Sequence, residues 1–318
     1  MKVSVVVPTL DNERTLRQML ASLREQDWDG DVETICIDGG SRDATLRIAR
    51  DYGARIVENP EREEEAGRAL GIEAADGELV LLLDADNVLP ARDWLARLVR
   101  ALELAPDIVA ADSLYHEWRR GDPPVVRLCA LIGGTDPLAV ELGWADRWAW
   151  HLDRWTGMPV LETQDAGDAL LVRLDPDRPP PLGSNGFLVR RAALLETSYR
   201  PFVHSDVAGD LAAAGHRFAR VKQGIVHDYA PDLRTYFAKA RRRARRATAG
   251  LPVQRRGYRP TPARLLATAG AAATQVIPLA RAAHGFRQRR DPAWALYPVL
   301  YDLTLLAYAL EFFRRNAR

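Results

Sequence analysis

The sequence predicts an α/β protein with a mostly parallel sheet flanked by helices, followed by a basic, apolar helical C-terminal region. Three observations carry this. Four short apolar runs, rich in β-branched residues, alternate with helical stretches of about 10–13 residues in the first hundred positions, the pattern of βαβ units. The runs read as continuous apolar segments, as strands buried on both faces do. The 318-residue chain is nearly neutral at +1, yet residues 1–231 hold 26 basic and 39 acidic side chains and residues 232–318 hold 18 and 4.

The first strand is Val3–Val7, ending at Pro8. A helix over Glu13–Glu25 leads to a second strand at Thr34–Ile37, then a helix over Asp43–Tyr52, a strand at Arg55–Val57, a helix over Glu64–Ala75 and a strand at Leu79–Leu83. The crossovers are expected to be right-handed. In open α/β sheets ligands bind at the carboxyl ends of the strands, so Pro8-Thr9-Leu10-Asp11, Asp38-Gly39-Gly40-Ser41 and Asp84-Ala85-Asp86 are the first candidates. Residues 105–203 are less regular and carry Trp144, Trp148, Trp150 and Trp155, then Gly183-Ser184-Asn185-Gly186. A basic helix follows 231, and after it come two apolar stretches, Leu265–Ala283 and Trp294–Phe313.

Hydrophobic residues make up 47% and charged residues 27% of the chain, which excludes a disordered or fibrous protein. Cys36 and Cys129 have no CxxC spacing, which excludes zinc ribbons and a disulfide scaffold and points to a reducing compartment. Too few apolar residues precede Pro8 for a secretory signal, which needs roughly 7–15, so the N-terminus is expected in the cytoplasm.

Asp84 and Asp86 leave the end of a buried strand two residues apart, so both can reach one ligand. Carboxylate oxygens suit hard cations such as Mg²⁺ or Mn²⁺ that bridge to phosphates. An isolated DxD is more often a solvated, capping turn; its surroundings reverse that here. Val5–Glu13, Ile37–Thr45, Gly67–Ile72 and Leu83–Asn87 occur in order and at a spacing that resembles the N-terminal half of family 2 glycosyltransferases, which have the GT-A fold. Asp11 stands where that family usually has Asn, Gly39 where a second Asp is common, and Ala69 where Asn is common.

The resemblance implies a nucleotide-sugar donor (UDP- or GDP-linked) whose base lies against Pro8, Thr9, Asp11 and Asp38, with Arg68 on base or diphosphate. It implies Asp84 near the ribose and Asp86 on a Mn²⁺ or Mg²⁺ ion. His227 ends a later apolar run and is the expected additional metal ligand, although a lone histidine is more often structural. Asn185 belongs to a segment resembling the one beneath the donor sugar. Asp206, before a helix that ends near Gly215, is the expected general base, with N-capping as its bland alternative and His204 and Asp210 as alternates. The Trp144–Trp155 cluster reads equally as a sugar or membrane platform and as helix core.

These features predict a catalytic domain over 1–231, with a nucleotide-binding half (1–100) and an acceptor half (101–231), and a tail over 232–318. Arg241–Arg246 give cations nearly all round a helix, so an anionic partner outside the chain is expected. Their apolar parts, Leu265–Ala280 with 16 residues and Trp294–Leu310 with 17, fall short of the roughly 20 residues of a span, so they are expected to lie in the interface as a peripheral or monotopic attachment. The full expectation is an inverting, metal-dependent glycosyltransferase at the cytoplasmic face of the inner membrane. Its acceptor would be a glycan or a polyprenyl-linked lipid, and its tail would meet an anionic membrane surface rather than nucleic acid. The competing readings are a sugar nucleotidyltransferase and an inactive membrane- or nucleic-acid-binding scaffold.

Overall fold

A computed structural model describes residues 1–249, 255–256 and 261–316. In chain order its elements are β1 (Val3–Thr9), α1 (Leu16–Arg24), β2 (Val32–Asp38), α2 (Thr45–Asp51), β3 (Arg55–Glu58), α3 (Glu64–Ala74), β4 (Leu79–Leu82), β5 (Asn87–Val88), α4 (Trp94–Leu102) and β6 (Ile108–Glu117). There follow α5 (Pro124–Leu131), α6 (Pro137–Glu141), β7 (Val160–Asp165), β8 (Ala169–Leu174), β9 (Phe187–Arg190), α7 (Arg191–Leu195), α8 (His204–Ala213) and β10 (Arg217–His227). The last helices are α9 (Leu233–Ala249), α10 (Pro262–Thr274), α11 (Val276–Gln288) and, after a 3-10 turn, α12 (Tyr297–Asn316).

The chain forms two compact units. The first comprises 1–114, 159–227 and 254–257; the second comprises 115–158, 228–253 and 258–318. The boundary expected at 231 therefore lies near one real junction, at 227, but residues 115–158 leave the expected acceptor half. The cause is a shared core: Val125, Leu128 and Leu131 of α5 pack with Tyr236 and Ala240 of α9 and with Tyr297, Leu300 and Tyr301 of α12.

The first unit carries a sheet of order β3-β2-β1-β4-β9-β6-β10-β8-β7, with β5 pairing β10. Parallel pairing occupies β3-β2-β1-β4, and β9, β8, β7 and β5 pair antiparallel to their neighbours. The β1–β2 register sets Thr9 beside Asp38, which brings two strand exits together. Leu16, Met19, Leu20 and Leu23 of α1 are buried at helical spacing. This helix starts later than Glu13, after a turn in which Asn12 O accepts from the N–H groups of Thr15 at 3.1 Å and Leu16 at 3.0 Å. Helix α3 lies so close to the sheet that a Cβ at Gly71 would stand 2.3 Å from Val6 Cγ1, which explains the glycine.

In the second unit the basic helix differs from expectation. Tyr236, Ala240 and Ala244 form a fully buried stripe on α9, and several of its arginines have partners within the unit. Buried Glu311 accepts from Arg241 at 2.7 Å and pairs with Arg245 at 3.3 Å. Arg243 pairs with Asp136 at 3.1 Å and donates to Thr135 Oγ1 at 2.9 Å. Salt bridges of this kind hold α9 in place, so much of the charge expected to face an outside anion is spent internally. The last apolar stretch also differs, because its helix continues past Leu310. Pro292–Arg315 is one 24-residue helical stretch of mean hydropathy 1.3, long and apolar enough to cross a membrane, with 39% of the apolar window buried in the protein.

Two predictions arise here. Deleting 232–318 strips α5 of its core partners and is expected to leave 115–158 open to protease and the fragment aggregating; a monodisperse, protease-resistant 1–231 fragment would contradict the two-unit description. The second concerns His151, which has no solvent exposure. Burial, with Arg281, Arg154 and His284 adding to it, pushes its pKa down to about 3 from 6.5. Below pH 6.5 the unfolded chain therefore takes up a proton that the folded chain refuses. Stability falls as pH drops through that window, by up to about 1.4 kcal/mol per unit. His151→Phe is expected to flatten the pH dependence of denaturant midpoints between about pH 6.5 and 4; an unchanged slope would refute it.

Candidate active site

The exits of β1 and β2 are stitched by side chains. Asp38 accepts N–H bonds from Gly40 and Ser41, both at 2.9 Å, and the Ser41 hydroxyl at 2.5 Å. Asp38 thus caps its own turn, where Gly40 takes a φ of 88° that favours glycine. Thr9 Oγ1 reaches Asp38 at 3.4 Å. Asp11, itself at φ 52°, accepts from Arg42 N–H at 2.8 Å. Pro8, Thr9, Asp11 and Asp38 therefore lie at adjoining strand exits, and the acids among them hold the following turns in shape.

Arg68 of α3 is fully buried, and its Nη2 lies 2.5 Å from both Asp84 and Glu64. Burial opposes its charge, but Glu64 and Asp84 outweigh burial and raise its pKa. Its Nη1 is shielded from solvent and makes no hydrogen bond among the described residues. Asp84 shows the opposite strain: burial raises its pKa, and Glu64 and Asp86 add to this against Arg68 and His227. Such crowded carboxylates favour a further cation.

The pairing of β5 with β10 sets His227 opposite Asn87, one residue beyond Asp86. His227 Nε2 consequently lies 3.3 Å from Asp86 Oδ1, with both side chains largely buried. The two residues expected to share a cation stand together. Among the described residues there is no group of three or more histidines, cysteines and carboxylates at ligating distances.

Asn185 lies beside the acidic turn. It sits at φ 52° and its Oδ1 accepts from Asn87 Nδ2 at 2.8 Å; Asn87 Oδ1 in turn accepts from Asp84 N–H at 2.9 Å. The Asn185 amide buttresses the acidic turn. Asn87, fully buried, was missed in sequence, where its only signal was its place directly after Asp86. Phe202 was also missed: it lies under Arg68 at 6.0 Å and meets His204 edge-on at 5.5 Å.

Asp206 occupies the first turn of α8 and is 3% exposed. Its Oδ1 accepts N–H bonds from Arg255 at 3.1 Å and Arg256 at 2.9 Å. No feature of the sequence had linked those arginines to it.

Strand ends that deliver an acidic pair and an imidazole, with a buried arginine from α3, beside a parallel half-sheet define a GT-A-type core. Residues 4–130 match the model of glycosyl transferase family 2. The chain is 32% identical over 127 residues to the uncharacterized glycosyltransferase YfnE of Bacillus subtilis, covering 38% of this chain and 31% of that one. It is 31% identical over 116 residues to a dolichyl-phosphate hexose transferase of Haloferax volcanii, covering 35% and 48%. It thus spans less than half the length of these curated relatives. A mannosyltransferase of Pyrobaculum calidifontis, solved with GDP-Man and Mn²⁺, shares the fold with a TM-score of 0.53 at 20% identity, over 98% of this chain and 87% of that one.

Proposed function

We propose that the protein is an inverting glycosyltransferase that moves a sugar from a nucleoside-diphosphate sugar (UDP- or GDP-linked) to an acceptor hydroxyl. The observation that carries this reading is the meeting of Asp86 and His227 at 3.3 Å, next to an acidic turn that already holds a buried arginine. A carboxylate and an imidazole fit Mn²⁺ or Mg²⁺ as a partial ligand set completed by phosphate oxygens and water. When bound, the ion supplies charge stabilisation for the departing diphosphate.

The chain's own residues do the rest. Pro8, Thr9, Asp11 and Asp38 line the base and ribose side, and Asp84 holds Arg68, whose charge lies beside the acidic turn on the diphosphate side. Asn185 and Asn87 fix the turn that aims Asp86. Asp206 takes the acceptor proton as the hydroxyl oxygen attacks the anomeric carbon and the diphosphate leaves with the bonding pair. The experiment is a thermal-shift panel of UDP- and GDP-sugars with and without Mn²⁺. One donor is expected to raise the melting temperature only with metal; stabilisation by nucleoside triphosphates and sugar 1-phosphates instead would favour a nucleotidyltransferase.

The second unit is read as a membrane-interface element on the cytoplasmic side, its acceptor a glycan or a lipid-linked sugar carrier. Leu266, Val276, Leu279, Phe312 and Phe313 are more than half exposed on its helices, and Arg287, Arg289 and Arg290 lie exposed beside them in the chain. Arg289 stacks on Trp118 at 4.4 Å and Trp150 at 5.1 Å, so part of the tryptophan-rich region serves to hold a cation. Apolar side chains with interspersed arginines suit an anionic lipid surface. Flotation with anionic but not neutral vesicles is the expected result.

A further inference from the structure

The general base assigned above is covered. Among the described residues, every hydrogen bond to the Asp206 carboxylate comes from two residues about fifty positions later: Arg255 and Arg256 donate backbone N–H groups to it at 3.1 and 2.9 Å, and Arg255 Nε reaches Oδ2 at 3.4 Å. Ser205 holds the same segment by donating its hydroxyl to Arg256 O at 3.1 Å. Three fixed donors thus compete with a substrate hydroxyl for the lone pairs of this carboxylate.

The arginine side chains are held much less well than their backbones. Arg255 Nη2 stands 3.6 Å from Asp210 with the side chain 55% exposed. Arg256 Nη1 stands 3.2 Å from Asp210 but makes no hydrogen bond, although it is shielded from solvent. Two guanidinium groups are thus gathered at one end of α8 with donors unspent. Guanidinium forks are best satisfied by oxyanions, and a phosphate with a charge near −2 matches two of them.

We propose that Arg255 and Arg256 form an acceptor-side anion site that masks Asp206 at rest, and that the acceptor is a phosphate-bearing alcohol. The proposal rests on Asp206 being the base in the reading above. The acceptor's phosphate draws the two guanidinium groups away from Asp210, the backbone N–H groups leave Asp206 with them, and the freed carboxylate takes the hydroxyl proton. Donor hydrolysis is thereby slowed, though not abolished, until such an acceptor arrives. The phosphate is that of a soluble alcohol or of a lipid, and the test separates the two.

Hydrogen exchange of the Arg255 and Arg256 amides reads the mask without relying on activity. In the full chain these amides are expected to exchange at least about tenfold more slowly than in Asp206→Ala, with Asp206→Asn, which keeps one acceptor oxygen, intermediate and serving if the alanine variant does not fold. Glycerol 3-phosphate at constant ionic strength is expected to speed exchange, whereas glycerol is not. If only phosphatidylcholine vesicles containing phosphatidic acid do so, the phosphate is a lipid's. An Arg255→Gln/Arg256→Gln chain is expected to lose the response. Equal exchange in wild type and both Asp206 variants overturns the mask. Exchange sensitive to Asp206 but indifferent to both phosphate probes overturns the anion site. A working mask in a chain that transfers no sugar overturns the function proposed above and leaves the mask standing.

Discussion

Asp206→Asn is expected to lower sugar transfer by about 10²–10⁴-fold, the usual contribution of a positioned general base. Affinity for the nucleotide-sugar is expected to stay within about twofold of wild type, because the base acts on the acceptor and not on the donor. The amide keeps an oxygen toward the N–H groups of Arg255 and Arg256, so the first turn of α8 remains capped and the protein folded. Side-by-side donor binding and turnover decide the matter. A wild-type turnover rate would pass the role to His204 or Asp210, and a parallel loss of donor affinity would place Asp206 in donor binding instead.

The second large effect is at the cation. Asp86→Ala removes the carboxylate that stands 3.3 Å from His227 Nε2. Metal-dependent donor binding is expected to disappear, and turnover to fall by more than about 10³-fold, the several kcal/mol that a metal ion supplies to a departing diphosphate. Asp84 offers no replacement, because Arg68 already holds it. The fold is expected to survive, since Asp86 lies in a turn and the sheet pairs of β4 do not include it. Donor binding with Mn²⁺ that equals wild type would remove the assignment.

What was legible in the sequence was what local pattern controls. The four first strands and three helices follow from buried apolar runs and turn residues, and structure places them within a few residues of expectation. The placing of the acidic pair and of His227 at strand ends was legible because each closes an apolar run, and ligands of open α/β sheets bind at such ends. What long-range pairing decides was not legible. Asn87 and Asn185 are 98 positions apart, and their mutual bond makes Asn185 a support for the acidic turn. Arg255 and Arg256 read as two more charges in a basic tail; only the return of that segment to α8 gives them a role. The same holds for α9, whose arginines look unpartnered until Glu311 and Asp136 are brought to them. The division into units fails in sequence for a related reason, since residues 115–158 are separated from their core partners by the whole second half of the sheet.

The most direct test of the account is to follow, by proton and phosphorus NMR, what the full chain with Mn²⁺ does to UDP- and GDP-sugars. The account predicts that one donor releases nucleoside diphosphate in a metal-dependent reaction that Asp86→Ala abolishes. Where water takes the acceptor's place, an α-linked donor should first yield the β-anomer of the free sugar. Release of nucleoside monophosphate and sugar 1-phosphate, a first product with the donor's own anomeric configuration, diphosphate release that ignores the metal, or no diphosphate from any of these donors would contradict it.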